Sequence, residues 1–139
     1  MLSWFTITMD DLTNKYDLAT FQKHYSTGQP QVDPFFDYFI AHTNKVWDYY
    51  HPLVASPAVS CVIEFASICH LEDMTEGMKI NSTSARYADY LRRKSGMSDF
   101  YSFGLWPAAQ FPDIKAFMQA VPAISHFTSE FGSELRSIR

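Results

Sequence analysis

The sequence predicts an all-α fold. Apolar residues recur at steps of three and four over long stretches, and no stretch of useful length alternates apolar with polar as a strand would. Proline follows a capping residue at more than one point, the pattern of a helix start. There is no internal repeat.

The opening MLSWFTITMDDL is apolar from its first residue, with no capping residue before it. It reads as the last turns of a longer helix and predicts that this chain is a piece of a larger protein. Phe35 to Tyr50 follows Asp33-Pro34, an N-cap with proline at the first helical position. Phe35, Phe36, Phe39, Ile40, Val46, Trp47 and Tyr50 give this helix one apolar face, and Pro52 lies beyond its end. A second helix is expected from Ser56, as cap, through Pro57 to Glu72. It is apolar nearly all round, so it should be central and the most buried. Glu76 to Ser84, with Gly77, Asn81 and Ser82, reads as a loop. Ala85 to Lys94 is a short helix broken at Ser95-Gly96. Ser98 to Leu105 is another, stopped by Pro107. A last helix starts near Pro112-Asp113 and runs to Arg139 without a glycine stop.

The chain has 139 residues, enough for one domain at most. Twelve Phe, eight Tyr and three Trp exclude a disordered chain. The net charge of −4 does not suggest a nucleic-acid partner. Two cysteines are too few for a disulfide framework and lack zinc-site spacing. Pro57 to Leu71, the most apolar stretch, carries Glu64 and His70 and is short for a membrane span. The first residues lack a basic region and a cleavage site, so a signal peptide is not expected and a cytoplasmic location is the default.

Two clusters bear on chemistry. Asp10-Asp11, with Asn14 four residues after Asp10, would point several oxygens at one place, as a hard cation such as Mg²⁺ requires. The same residues also suit a solvated helix end. Arg92-Arg93-Lys94 precedes Ser95-Gly96 at a helix end. Three cations there complement the helix dipole. Equally, the planar donors of arginine suit a phosphate clamp.

YLRRKSG at 90–96, LWP at 105–107 and Phe111 resemble the trichodiene synthase-like fungal sesquiterpene cyclases, a class I terpene synthase family. In that family a diphosphate-sensing arginine opens R-R-x-x-G, and a Trp-Pro pair follows at the same distance. YHPL at 50–53 and CVIEFASICHLE at 61–72 are similar to the family's central helix, acids at Glu64 and Glu72 included. Asp10 precedes Arg92 by 82 residues, the family's interval between its aspartate-rich motif and the sensor. The resemblance runs from about Phe5 to Ala123.

The resemblance implies ionisation of farnesyl diphosphate, or a similar prenyl diphosphate, with three Mg²⁺ ions, and cyclisation of the carbocation in an apolar pocket. Aromatic faces stabilise such a cation, by about 2 kcal/mol or more when desolvated. Asp10 would be the principal metal ligand, Asp11 and Asn14 its neighbours. Arg92 would hold diphosphate, with Ser95 and Gly96 at the helix break beside it, and Arg93 and Lys94 would be surface charges. Asp10 and Arg92 should then approach one cavity, their functional groups on the order of 10 Å apart.

The sequence departs from the family in two places. Asn14 stands where an acid is usual. The second metal motif, N-D-x-x-S-x-x-x-E, should begin near Leu135, but the chain reads HFTSEFGSELRSIR and stops. Residues 1–127 are therefore expected to be a partial terpene synthase domain and 128–139 an atypical tail. Apolar faces left exposed predict homo-oligomers or aggregation. The alternatives are a non-catalytic helical fragment acting only through partners, and a metal-dependent prenyl diphosphate phosphatase.

Overall fold

The computed structural model describes Thr8 and residues 18–137, with side chains described as far as Phe127. Every regular element among the described residues is helical. The order is α1 (Leu18–Thr27), α2 (Pro34–Asn44), α3 (Val46–Tyr49), α4 (Pro52–Met74), a 3-10 turn (Ser82–Ser84), α5 (Tyr87–Lys94), α6 (Met97–Gly104) and α7 (Ile114–Ser137).

Helix α4 is the axis of the packing. It touches α1, α2, α3, α5 and α6, and α7 packs on α6. Val62, Ala66 and Cys69 are nearly inaccessible and Phe65 is also buried, as the all-round apolar sequence requires. Against them lie Leu18 and Phe21 of α1 and Phe36 and Phe39 of α2. Phe21 meets Phe36 with ring centroids 4.9 Å apart and Phe39 at 6.1 Å, both tilted. Full burial of one such ring stabilises by about 1.5–3 kcal/mol, and tilted ring pairs add to this. A second cluster joins Val46 of α3 to Ala55 and Ala58 of α4, with Tyr50, Phe100 and Phe103 around it.

By length and composition α4 is the one helix among the described residues able to cross a membrane. Its burial against five other helices accounts for the same apolar content.

The structure corrects several boundaries. The helix expected over Phe35–Tyr50 is two helices, divided at Lys45, whose N–H bonds three residues back to His42. The first half turns Phe36, Phe39 and Thr43 inward, and the second turns Val46 toward the start of α4. The Asp33 cap is as expected: its Oδ1 accepts from the Phe35 N–H at 2.8 Å. Helix α4 does not start at Ser56. His51 is the cap, its Nδ1 accepting from the Leu53 N–H at 3.2 Å, and Pro52 takes the first helical position. Pro57 is therefore inside the helix. Its missing N–H leaves the Leu53 carbonyl without an intrahelical donor, and Leu53 is exposed, where solvent serves.

Helix α5 begins at Tyr87 rather than Ala85, because Asn81 caps the preceding 3-10 turn through Oδ1 to the Thr83 and Ser84 N–H groups. Asp113 caps α7, accepting from Lys115 N–H at 2.9 Å. Helix α1 has no counterpart in the sequence expectation.

Candidate functional site

Arg92, Ser95 and Gly96 lie at the corner where α5 ends and α6 begins. The corner exists because Gly96 is left-handed, with φ of 65°, and Gly96 caps the start of α6. A side chain there would be strained by its backbone alone. It would also strike α4: an added Cβ would lie 3.0 Å from both Cα and Cβ of Cys61. Glycine thus lets the corner press against the central helix. Ser95 closes the last turn of α5, its Oγ donating to the Arg92 carbonyl at 2.7 Å.

The corner and α4 enclose a cavity of about 270 Å³. Phe65, Ile68, Leu91 and Met97 give it apolar walls, and Arg92, Ser95, Ser98 and Glu72 face it as well. Arg92 is partly buried, and its Nε is buried with no acceptor among the described residues. A buried N–H without a partner costs roughly 1–3 kcal/mol, more on a charged group. An anionic ligand reaching this guanidinium would remove that cost.

Arg93 and Lys94 point elsewhere. Arg93 is exposed. Lys94 pairs with Glu64 at 3.6 Å, both about half exposed, a pair worth roughly 0–1 kcal/mol. Lys94, Glu64 and Tyr90 belong to a larger open groove of about 600 Å³ on the other side of the α4–α5 contact. The three consecutive cations are thus divided between a cavity and the surface.

Glu72 is the charged residue that sequence reasoning left out of the site. Phe65, Ile68 and Glu72 are spaced three and four apart, so they share one face of α4. That spacing was the available signal.

The Trp-Pro pair sits in the corner after α6. Trp106 packs on Phe111 at 4.7 Å and Phe117 at 6.0 Å between ring centroids, and its buried Nε1 has no acceptor among the described residues. Beside the Gly96 contact, the Cys61 thiol is pushed up to about 12, by burial first and then by the Asp99 and Glu64 carboxylates. Asp99 in turn accepts from the Ser125 hydroxyl, tying α6 to α7.

Asp10, Asp11 and Asn14 lie outside the described residues, and so does the expected approach of Asp10 to Arg92.

This arrangement is an all-helical bundle that presents an arginine from a glycine-broken helix end to a cavity beside the central helix. The chain belongs to the trichodiene synthase (TRI5) family, whose match covers residues 2–132. It is similar to terpene synthase BipA of Cochliobolus sativus, 29% identical over 123 residues, which is 86% of this chain and 38% of the relative. Monoterpene synthase 25 of Postia placenta is 28% identical over 84% of this chain and 36% of its own length. (E)-beta farnesene synthase of Metarhizium brunneum is 25% identical over 94% of this chain and 41% of its own. The chain spans about two fifths of the length of these relatives.

The resemblance to terpene synthases implies a divalent cation. Among the described residues no three His, Cys, Asp or Glu side chains converge on a cage for a bare ion. Among the described residues the Arg92 cavity is lined by one carboxylate, that of Glu72. One carboxylate together with phosphate oxygens and water is a donor set that suits Mg²⁺ carried by a phosphate ligand.

Proposed function

We propose that this chain is part of a terpene synthase that binds farnesyl diphosphate or a similar prenyl diphosphate and ionises it with Mg²⁺ to start cyclisation. The observation that carries this reading is the buried, unpartnered Arg92 Nε beside a cavity, in a chain matched to the family over nearly its whole length. The (E)-beta farnesene synthase relative supports a farnesyl substrate and the monoterpene synthase relative a shorter one, so the prenyl diphosphate class is what they share.

In this reading Arg92 holds the diphosphate and stabilises it as charge develops on the leaving group. Ser95 and Gly96 set the corner that aims Arg92. Asp10, Asp11 and Asn14 would hold the metal ions, whose contribution would be to polarise the leaving group. The apolar walls keep water and nucleophiles from the cation.

The second metal motif is missing from the sequence, and loss of even one preorganised charge contact costs about 10²–10³ in rate. The purified chain is therefore expected to bind farnesyl diphosphate with Mg²⁺ but to release no cyclic product. Calorimetry with farnesyl diphosphate and gas chromatography of the extract test this. Binding lost in both Arg92→Ala and Asp10→Ala supports the reading, and binding indifferent to Arg92→Ala overturns it. Cyclic sesquiterpene at appreciable turnover, lost in Asp10→Ala, would overturn the incomplete metal set. Phosphate release without hydrocarbon would favour a phosphatase.

A further inference from the structure

Helix α5 turns two flanks toward α4. Tyr90 and Lys94, four residues apart, line the larger groove together with Glu64, Ser67 and Leu71 of α4. Ala88, Leu91, Arg92 and Ser95, spaced three and four apart, line the smaller cavity with Phe65. Ile68 borders both, so it lies beneath the seam between them. Lys94 follows Arg92 by two residues, which is about 200° around the helix. A bond that draws Lys94 to one flank of α4 therefore turns Arg92 to the other. Lys94 Nζ lies 3.6 Å from Glu64 Oε1 and makes that bond. The Gly96–Cys61 contact pins the far end of α5 and buried Leu91 anchors its middle. Both lie near the line of contact, whereas the ion pair lies out on the flank, where it opposes a roll of the helix.

We infer that the Lys94–Glu64 pair sets the roll of α5 on α4 and so holds Arg92 toward the cavity. Glu64 and Lys94 are then positioning residues, acting through Arg92 from outside the cavity it faces. This rests on the assignment of diphosphate to Arg92 for its purpose, though not for its geometry. The pair is half exposed, so its hold is light and salt weakens it. A roll of α5 away from this position would carry the Arg92 Nε out of the cavity and into water.

The test follows hydrogen exchange at the Arg92 Nε–H by NMR of the full chain, the signal being identified by its loss in Arg92→Lys. A buried N–H exchanges with water when α5 rolls or when the whole fold opens. The backbone amide of Val62, deep in α4, reports opening of the whole fold. An exposed ion pair changes an equilibrium by up to about fivefold. In Glu64→Gln the Nε–H should exchange about two- to fivefold faster, while Val62 changes less. Lys94→Gln should quicken it likewise, although it changes the local charge in the opposite sense, which a purely electrostatic influence would not do. The reversed pair, Glu64→Lys with Lys94→Glu, should restore the wild-type rate. Equal quickening at Val62 and at the Nε–H overturns the role of the pair, as does an unchanged Nε–H. Inorganic diphosphate tests the parent assignment separately. Slower Nε–H exchange in wild type on its addition supports diphosphate at Arg92, and an unaltered rate overturns that assignment whatever Glu64→Gln has done.

Discussion

Gly96 and Gly28 share a left-handed backbone, with φ of 65° and 66°, but not their surroundings. An added Cβ meets nothing within 4 Å at Gly28, whereas at Gly96 it meets the backbone of α4 at 3.0 Å. Gly28→Ala should then cost about 1 kcal/mol, the conformational term alone. Gly96→Ala should cost about 2–4 kcal/mol, because α4 cannot give way without disturbing the core. Urea unfolding of the two variants isolates the packing share, and equal losses would contradict it. Cys61 makes a second residue-scale prediction. Its folded thiol titrates at about 12 against an ordinary 9.0. In the window between these values the unfolded chain loses a proton that the folded chain keeps, so stability falls as pH rises. Below about pH 9 the contribution is intact. Cys61→Ala should flatten the fall in urea midpoint between pH 9 and 12 relative to wild type. At this scale the sequence singled out Arg92 and the helix break beside it, but not that Glu72 lines the same cavity. An exposed acid near the end of an apolar helix looks like ordinary solvation until the facing helix is placed.

Among the elements, the fate of the prolines shows what the sequence could and could not tell. Pro34, Pro52 and Pro57 each fit a first helical position, and two of the three occupy one. Choosing between Pro52 and Pro57 required knowing that His51 caps through a ring nitrogen, a residue outside the usual capping set. Pro57→Ala should restore a donor to the Leu53 carbonyl and relieve the ring's crowding. It is expected to stabilise the chain by about 1–3 kcal/mol, read as a raised thermal midpoint. A lowered midpoint would mean that the ring's own packing outweighs the missing bond. Helix α1 escaped notice for a related reason. LATFQKHYST buries only Leu18 and Phe21, and it owes its helical state to the face that α4 offers. Such short helices are made by tertiary packing rather than by propensity.

For the whole molecule, the all-α class was legible from periodicity, and the central position of α4 from its lack of a polar face. The outer surface is less settled by packing. Tyr38, Tyr49, Leu53 and Met118 are all more than half exposed, and Trp47 nearly so. Tyr49 and Leu53 lie four residues apart on either side of the start of α4, and an apolar patch built around them would favour association. The purified chain is expected to sediment as a concentration-dependent mixture of monomer and larger species at tens of micromolar, and Tyr49→Ser with Leu53→Gln should shift it toward monomer. A single monomeric boundary across the whole range would refute this.

The place of α4 in the chain has a consequence for biosynthesis. The helices that cover one part of it, α1 to α3, are made before it, and those that cover the rest, α5 and α6, are made after it. As the chain leaves the ribosome, the faces of α1 to α3 that pack on α4 lack that partner until α4 emerges. Once it does, they dock at once, while Cys61 and the rest of the surface meant for α5 and α6 wait for the loop and both helices to be translated. The nascent protein thus passes through a half-covered stage whose bare strip is the wall of the future cavity, and that strip is where a chaperone would first find purchase.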